Sequence, residues 1–280
     1  MPELPEVETI MRNLVRADAD KPSIIGQVIE SVQVYWAKTI QEPDVKSFTE
    51  TLPGMAIKGM QRRGKFLQFD LNEGHLLIHL RMSGDLYLVQ EDLQALPDPH
   101  DRLHIGFKSG WHLVFNDTRK FGRVWYVSDP QKVYARLGPE PLQTNLTEVQ
   151  FYAMLQACKR QIKPLLMDQG FLAGIGNIYA DEALFLAQVH PNEISSNLSQ
   201  AQASVLLNSI RSVLEEGIRR NGASIDWVYR GGDFQNYFNV YQRAGEPCKV
   251  CGTVIEKKLV GQRGTHYCPN CQALIEEQGA

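Results

Sequence analysis

Apolar residues change their spacing along the chain, and the changes predict a helix first, then strands, then a second helical region. Near the N-terminus, intervals of three and four residues separate Val7, Ile10, Met11 and Leu14. This is the spacing of one helix face, and it predicts a helix over residues 5–14. Pro5 suits the first turn, where the N–H that proline lacks has no partner within the helix.

Residues 27–127 are predicted to form mainly strands, because short runs rich in apolar and β-branched residues alternate with Gly, Asn and Asp. The predicted strands are 27–35, 66–71, 75–80, 103–107 and 111–115. Short strands at about ten-residue spacing favour a β-sandwich or a barrel. The segment 90–101, which contains two prolines, is predicted to be an irregular loop.

The pattern becomes helical after residues 137–141, where a glycine and two prolines indicate a linker. We predict helices that begin at Thr147 and cover 162–168, 177–185 and 198–219. Cys158 is predicted to be a helix residue without a function. No run of about 18 apolar residues is present, so we expect no membrane-spanning segment and no membrane partner. The acidic N-terminus is unlike a secretory signal, so we expect a cytoplasmic protein.

Charge modifies this picture only locally. The chain has 280 residues and a net charge of −3, which argues mildly against nucleic-acid binding. However, basic residues concentrate in segments 55–71 and 240–271, and the distribution of charge matters more than its sum. The length suggests about two domains.

Four of the five cysteines form two C-x2-C pairs, Cys248 with Cys251 and Cys268 with Cys271. In a chain without an export signal, such pairs indicate a metal site rather than disulfides. Two pairs complete a tetrahedron of thiolates around one Zn²⁺, and no coordination position stays open, so the zinc would be structural. The intervening residues 253–267 are predicted to form a β-hairpin.

The second residue carries a further candidate chemistry. Removal of Met1 would expose Pro2 as a secondary amine, and an α-amine is partly neutral at pH 7. Such an amine can attack an aldehyde-like carbon and form an iminium, with the adjacent Glu3 as general acid. The local sequence alone favours a simpler interpretation, in which Pro2 and Pro5 only set the start of a helix.

Seven ordered segments change that balance, because together they resemble bacterial formamidopyrimidine-DNA glycosylases along the whole chain. They are residues 2–9, 63–65, 79–84, 117–122, 162–164 and 174–179, and the cysteine unit with 262–264. The resemblance implies an α+β multidomain protein. An N-terminal β-sandwich with the leading helix would span 1–136, a helix–two-turn–helix domain 137–225, and a lesion-capping loop with a zinc β-hairpin 226–280.

The resemblance also implies an activity, that of a bifunctional DNA glycosylase and abasic-site lyase of base excision repair. It would remove oxidised purines, formamidopyrimidine and 8-oxoguanine, from damaged double-stranded DNA, with one structural Zn²⁺, as a monomer without an obligatory protein partner. Pro2 would attack C1′ and form a Schiff base, Glu3 would transfer protons, and Glu6 would support the site through water. Lys65 and Arg263 would contact phosphate and assist β- and δ-elimination, respectively.

Other residues are expected to hold the DNA. Met82, Arg119 and Phe121 would fill the space that a flipped nucleotide leaves, because an inserted apolar side chain unstacks the base step. Strand alternation alone would instead place Met82 and Phe121 in the core. Further DNA contacts implied by the resemblance are His100, Lys120, Lys163 and Asn177.

One segment departs from the family, and three alternatives stay open. Asp226 stands in the loop 222–239 where the family usually has a basic residue, which puts the handling of 8-oxoguanine in question. An endonuclease VIII-like enzyme for oxidised pyrimidines is the nearest alternative, which Leu4 and the Met82 set oppose. A non-catalytic zinc-ribbon DNA-binding protein leaves Pro2, Glu3 and Lys65 unexplained. An N-terminal-proline tautomerase leaves the zinc hairpin unexplained.

Overall fold

The structure is a computed structural model that describes residues 1–90, 97–224 and 231–274. These residues divide into two compact units. One unit contains the described residues of Met1–Ala135 and Ala223–Gly232, and the other contains those of Arg136–Gly222 and Asp233–Ala280. Among the described helices, none combines the length and the apolar character that crossing a membrane requires.

The first unit is built on two sheets. A five-stranded sheet has the order β2-β9-β5-β4-β3, and a four-stranded sheet has the order β1-β7-β8-β6. The strands are β1 (Ile29–Val34), β2 (Ile40–Glu42), β3 (Ile57–Arg63), β4 (Phe66–Leu71), β5 (His75–His79), β6 (Gly84–Gln90), β7 (Asp101–Phe107), β8 (Trp111–Asp117) and β9 (Arg123–Val127). Side chains of both sheets, such as Phe69 and Phe115, share one apolar core. This confirms the predicted β-sandwich.

Three helices accompany these sheets: α1 (Leu4–Val15), α2 (Val45–Thr51) and α3 (Gln131–Tyr134). The leading helix α1 is confirmed, since Val7, Ile10 and Leu14 lie in the core. The helix α2 was not predicted. Its signal is the N-cap, because the Asp44 carboxylate accepts the amide N–H of Ser47 at 3.0 Å.

The second unit begins with four helices, α4 (Glu148–Gln156), α5 (Ile162–Met167), α6 (Asn177–Leu186) and α7 (Gln200–Arg219). The predicted start at Thr147 is confirmed, and Thr147 forms a capping box with Gln150. The prediction for Cys158 was wrong. The helix α4 ends before it, and the Cys158 carbonyl accepts the Ser195 hydroxyl at 2.5 Å instead of continuing the helix.

The predicted zinc hairpin is also confirmed. Its strands are β10 (Glu256–Val260) and β11 (Arg263–Tyr267), with Val260 opposite Arg263. The two residues between them, Gly261 and Gln262, have φ angles of 54° and 62°. Positive φ at both positions is typical of a type I′ turn, the tight turn that matches the twist of paired strands.

Candidate active site and metal centre

The candidate catalytic residues near the N-terminus are buried at the start of α1. Pro2 is buried, and Glu3 and Glu6 are each only 3% exposed. The amide N–H of Glu3 donates to Glu6 Oε2 at 2.8 Å, and the amide N–H of Ala223 donates to Glu6 Oε1 at 2.8 Å. The Glu6 carboxylate therefore fixes the backbone beside Pro2 and ties the segment around Ala223 to the start of the helix, where acidic groups are favoured.

Lys65 lies in the two-residue turn of the β3–β4 hairpin. Gly64, the first residue of this turn, has a φ angle of 57°. This left-handed conformation is unfavourable for a residue with a side chain. The Lys65 side chain is buried, and burial of an ammonium is costly unless other groups compensate its charge. The hairpin therefore holds a cation inside the same unit that contains Pro2 and Glu3.

A carboxylate–guanidinium chain joins α1 to that turn. Glu8 of α1 accepts Arg62 Nε at 2.7 Å and Arg12 Nε at 2.8 Å. Arg62 in turn donates from Nη1 to the carbonyl of Gly64 at 3.2 Å. The helix that follows Pro2 and the turn that carries Lys65 are thus held together by these contacts. Sequence reasoning missed Glu8 and Arg62, because both are ordinary charged residues in their local context.

His79 is the last residue of β5 and precedes the loop that carries Met82. Its ring is buried, and Nδ1 accepts the amide N–H of Arg81 at 3.0 Å. Burial lowers the pKa of His79 to about 3, and the charges of Arg81 and Lys65 act in the same direction. His79 is therefore a neutral residue, and its ring accepts a hydrogen bond from the residue before Met82.

Met82 and Phe121 are not core residues. Met82 is 36% exposed and Phe121 44% exposed, in the loops that follow β5 and β8. The alternation argument for core packing was wrong, because both residues lie beyond the strand ends where alternation no longer applies. Arg119 lies in the same loop as Phe121, and its guanidinium carbon is 5.0 Å from the centre of that ring.

The buried carboxylate of Asp117 joins these two loops. It accepts the Ser83 hydroxyl, the amide N–H of Arg119 at 3.2 Å and the amide N–H of Gly122 at 2.7 Å. The residue after Met82 and the residues around Phe121 therefore share one anionic anchor. Sequence reasoning missed this role, although Asp117 opens one of the segments that carry the family resemblance.

Two further predicted DNA contacts lie in exposed loops of the first unit. His100 is exposed, and its carbonyl accepts the amide N–H of Asp117 at 2.9 Å. Lys120 is exposed with a φ angle of 61°, and its Nζ lies 4.3 Å from the centre of the Trp36 ring. Both are sterically accessible, so their DNA contacts stay predictions.

The four paired cysteines converge in the second unit. All four Sγ atoms lie within 4.8 Å of one another, with Cys248–Cys271 at 3.9 Å and Cys251–Cys268 at 3.5 Å. Zn–S bonds of about 2.3 Å in a tetrahedron require S···S separations of about 3.8 Å. The cluster therefore fits one structural Zn²⁺, which confirms the predicted cofactor. Phe185 of α6 packs against the buried cysteines.

Helix α6 also holds the segment that leads to the metal centre. The buried Glu182 carboxylate accepts the amide N–H groups of Asn239, Val240 and Tyr241 at 2.9–3.0 Å. Burial raises the pKa of Glu182, while these hydrogen bonds act in the opposite direction. This carboxylate connects the helical part of the unit to its zinc finger.

The structure corrects the role predicted for Lys163. This side chain is 0% exposed, and its Nζ lies 2.6 Å from Asp181 Oδ1. It also donates to Thr265 Oγ1 at 2.7 Å and to the carbonyl of Gly264 at 3.2 Å. A phosphate group has no access to this ammonium, so the predicted backbone contact was wrong. Sequence reasoning could not foresee burial from the Ile162–Pro164 segment alone.

Asn177 and Arg263 keep accessible positions. Asn177 begins α6 and is partly buried, and its Nδ2 donates to the carbonyl of Gly264 at 3.1 Å. Arg263 is exposed at the first position of β11. The structure thus groups Lys163, Asn177 and Arg263 around the zinc hairpin, but only the last two have exposed surface.

Comparison with known proteins accounts for both units. The model of the formamidopyrimidine-DNA glycosylase N-terminal domain matches residues 1–124, and that of the corresponding H2TH domain matches 137–228. The model of a zinc finger found in FPG and IleRS matches 245–274. The formamidopyrimidine-DNA glycosylase of Protochlamydia amoebophila is 40% identical over 281 residues, which cover 97% of this chain and 99% of the relative.

Solved structures agree. A complex of MutM with DNA containing carbocyclic 8-oxo-G has a TM-score of 0.89 at 36% identity and covers 97% of this chain and 100% of that one. A complex of Lactococcus lactis Fpg with abasic-site DNA has a TM-score of 0.88 at 36% identity, over 96% of this chain and 99% of that one. The fold and the cysteine site define a multidomain α+β protein with a C-terminal zinc finger. The chain belongs to the formamidopyrimidine-DNA glycosylase family.

Proposed function

We propose that this protein is a DNA glycosylase and abasic-site lyase that removes oxidised purines from double-stranded DNA. The observation that carries the proposal is the buried start of α1, where the Glu6 carboxylate holds the amide N–H of Glu3 next to the buried Pro2. The relatives support it, since the curated ones carry the name of the glycosylase and the solved ones are complexes with lesion-containing DNA. We propose Pro2 as the nucleophile.

The first step depends on the removal of Met1, because an amide nitrogen is not nucleophilic. The Pro2 amine forms a bond to C1′ of the flipped nucleotide while the glycosidic C–N bond breaks. The departing base takes the bonding electrons and a proton, which we assign to Glu3 as general acid. The Pro2 nitrogen then gives its remaining proton to the Glu3 carboxylate, and the C1′–O4′ bond of the sugar ring breaks. O4′ takes the bonding electrons and a proton returned by Glu3, which leaves an iminium between Pro2 and C1′, a covalent intermediate of the Schiff-base type.

The iminium makes the C2′ proton acidic, and this explains the lyase steps. Loss of that proton expels the 3′ phosphate by β-elimination, and a second elimination expels the 5′ phosphate. Lys65 is proposed to assist the first step and Arg263 the second, each by stabilising charge that develops on a phosphate. Glu6 has a supporting role, since it orients the backbone next to the nucleophile.

The exposed loops of the first unit suit the extraction of a nucleotide. Met82 and Phe121 would occupy the space in the base stack, and Arg119 would meet the unpaired opposite base. We propose that His100, Lys120 and Asn177 contact DNA phosphates. Phosphate contacts release counterions, so binding should weaken with salt.

Domain roles follow from these assignments. We propose that residues 1–136 carry the chemistry and that 137–225 with the zinc finger in 226–280 bind the DNA backbone, in a protein that acts as a monomer. Part of the lesion-capping loop, including Asp226, lies outside the described residues. We propose that lesion preference depends on this loop.

Strand cleavage tests the function. Duplexes with formamidopyrimidine, 8-oxoguanine opposite C, or thymine glycol are incubated with the protein, and released bases and cleaved strands are measured. We expect base release and cleavage with the purine lesions. Preference for thymine glycol would instead support the endonuclease VIII-like alternative, and binding to abasic DNA without cleavage would support a non-catalytic protein.

A further inference from the structure

We infer that Lys163 and Asp181 are positioning residues that hold Arg263 in place for its phosphate. The inference deepens the proposed function and rests on it. Lys163 lies on α5 and Asp181 on α6, and both side chains are 0% exposed. Neither group can reach DNA, so their effect on the reaction must pass through what they hold.

Asp181 and Lys163 hold the residues that follow Arg263. Asp181 Oδ2 accepts the amide N–H of His266 at 2.9 Å and lies 3.4 Å from His266 Nδ1. Lys163 Nζ donates to the Thr265 hydroxyl and to the carbonyl of Gly264. Consecutive residues of β11 are therefore bound to one buried ion pair.

One of these contacts extends to Arg263 itself. The Thr265 hydroxyl accepts from Lys163 and donates onward to the carbonyl of Arg263 at 3.0 Å. The Asp181–Lys163 ion pair is thus linked through the Thr265 hydroxyl to the backbone carbonyl of Arg263. The Arg263 side chain stays exposed.

The other side of Arg263 is fixed by packing. A Cβ atom at Gly261 would lie only 2.6 Å from Pro164 Cγ, so the hairpin turn rests directly on the residue after Lys163. Asn177 Nδ2 adds a donor to the Gly264 carbonyl at 3.1 Å. Arg263 therefore stands between a turn that is packed on α5 and a strand that is bonded to the ion pair.

The energetics of a buried pair make this arrangement stiff. Loss of one partner leaves an uncompensated buried charge, whereas replacement of both by apolar side chains is often tolerated. Misplacement of a catalytic group by about 1 Å can lower a rate by about 100-fold. Weakening of the pair is thus expected to slow δ-elimination, the step that uses Arg263, more than it slows the attack of Pro2 on C1′.

The experiment compares Asp181→Asn, Arg263→Ala and the variant with both changes, as full-length zinc-loaded proteins. Binding to a duplex with a tetrahydrofuran abasic analogue is measured across salt concentrations, together with the ratio of δ- to β-elimination products on abasic DNA. Asp168→Asn is the matched control, because Asp168 forms an exposed ion pair with Arg160 in the same unit. Zinc content is measured for every variant.

We expect Asp181→Asn to lower the δ-to-β ratio about tenfold and to flatten the salt dependence of binding by about one phosphate contact, as Arg263→Ala does. Arg263→Ala added to Asp181→Asn should cause little further loss, because both changes remove the same contact. The control should match the wild type. Additive losses, or a δ-to-β ratio and salt dependence unchanged by Asp181→Asn, would overturn the inference.

If Asp181→Asn loses its zinc, the double variant Lys163→Met with Asp181→Leu is measured instead, because it leaves no buried charge unpaired. With zinc retained, it should still lose δ-elimination selectively, and a wild-type ratio would overturn the inference. A wild-type protein that forms no cleavage product would refute the proposed function instead. In that case the salt dependence of DNA binding still tests whether the pair positions Arg263. It is compared among Asp181→Asn, Arg263→Ala and the variant with both of these changes.

Discussion

The amide N–H of Glu3 donates to the Glu6 carboxylate at 2.8 Å, and the second oxygen of that carboxylate accepts the amide N–H of Ala223. Both oxygens of Glu6 therefore face N–H donors. An amide side chain at this position would turn an NH₂ group toward one of them. The charge and symmetry of the carboxylate, and not only its size, define the backbone next to Pro2.

The first prediction follows from this geometry. Glu6→Gln should lower the free energy of unfolding by about 1–3 kcal/mol, because one buried N–H loses its acceptor. It should also slow Schiff-base formation. Urea denaturation measures the first effect, and Glu30→Gln, at an exposed position of β1, is the control. Equal stability of Glu6→Gln and the control would contradict the account.

The second prediction concerns the anchor of the two exposed loops. Asp117→Asn should reduce stability by about 1.5–3 kcal/mol, since three hydrogen bonds to a buried anion are weakened. Ser83→Ala should cost less, since it removes only one of them. Hydrogen exchange at the amides of Arg119 and Gly122 would report the loosened loop. Unchanged protection of both amides would show that Asp117 does not hold it.

The third prediction separates DNA contact from core packing. Met82→Ala should change the free energy of unfolding by less than about 1 kcal/mol, because the side chain is exposed. By contrast, Leu67→Ala in the core should cost about 2–5 kcal/mol. Fluorescence of 2-aminopurine opposite the lesion should show weaker nucleotide extrusion for Met82→Ala. A core-like stability loss for Met82→Ala would refute its assigned role.

The fourth prediction concerns pH. The pKa of His79 is lowered to about 3 in the folded protein, whereas an unfolded histidine titrates near 6.5. Between these values the unfolded state binds the extra proton, so the contribution of His79 falls as pH decreases from 6.5 towards 3. The slope approaches about 1.4 kcal/mol per pH unit within this window.

His79→Gln removes that slope without removing a hydrogen-bond acceptor for Arg81. Stability of the wild type relative to His79→Gln should therefore decline as pH is lowered from 6.5 to 4. Guanidinium denaturation at several pH values gives the difference. A difference that stays constant over this range would mean that His79 can be protonated in the folded state.

The fifth prediction concerns the metal. Removal of zinc by a chelator should unfold the finger, because so small a segment depends on metal binding for its folding energy. The first unit has its own apolar core and should keep its near-native melting behaviour. Affinity for abasic DNA should fall, and added Zn²⁺ should restore it. Full affinity in a protein verified to be free of zinc would contradict the role of the finger.

The sequence was sufficient where the signal is local. The spacing of Cys248, Cys251, Cys268 and Cys271 defines the metal centre, since it encodes both the ligands and their geometry. The periodicity of Val7, Ile10 and Leu14 likewise defines α1. Strand β3 was missed, because it lies at a sheet edge and only Ile57 is buried in it, so its alternation is weak.

Burial and long-range pairing could not be inferred in the same way. Lys163 resembles a phosphate ligand in sequence, but its partners Asp181 and Thr265 are brought to it only by the folded helices and hairpin. The roles of Asp117 and Glu8 depend on contacts between separate loops and strands. The segments that resemble the family contain both residues, but only the structure shows what each one touches.

The central claim is that Pro2 attacks C1′, and one measurement tests it directly. The protein, with its N-terminus verified by mass spectrometry to begin at Pro2, is incubated with an 8-oxoguanine or formamidopyrimidine duplex in the presence of borohydride. The trapped complex is digested, and the peptide that carries the nucleotide is sequenced. We predict a single adduct on the nitrogen of Pro2. An adduct on Lys65 or any other residue, or no adduct while strands are cleaved, would contradict the account.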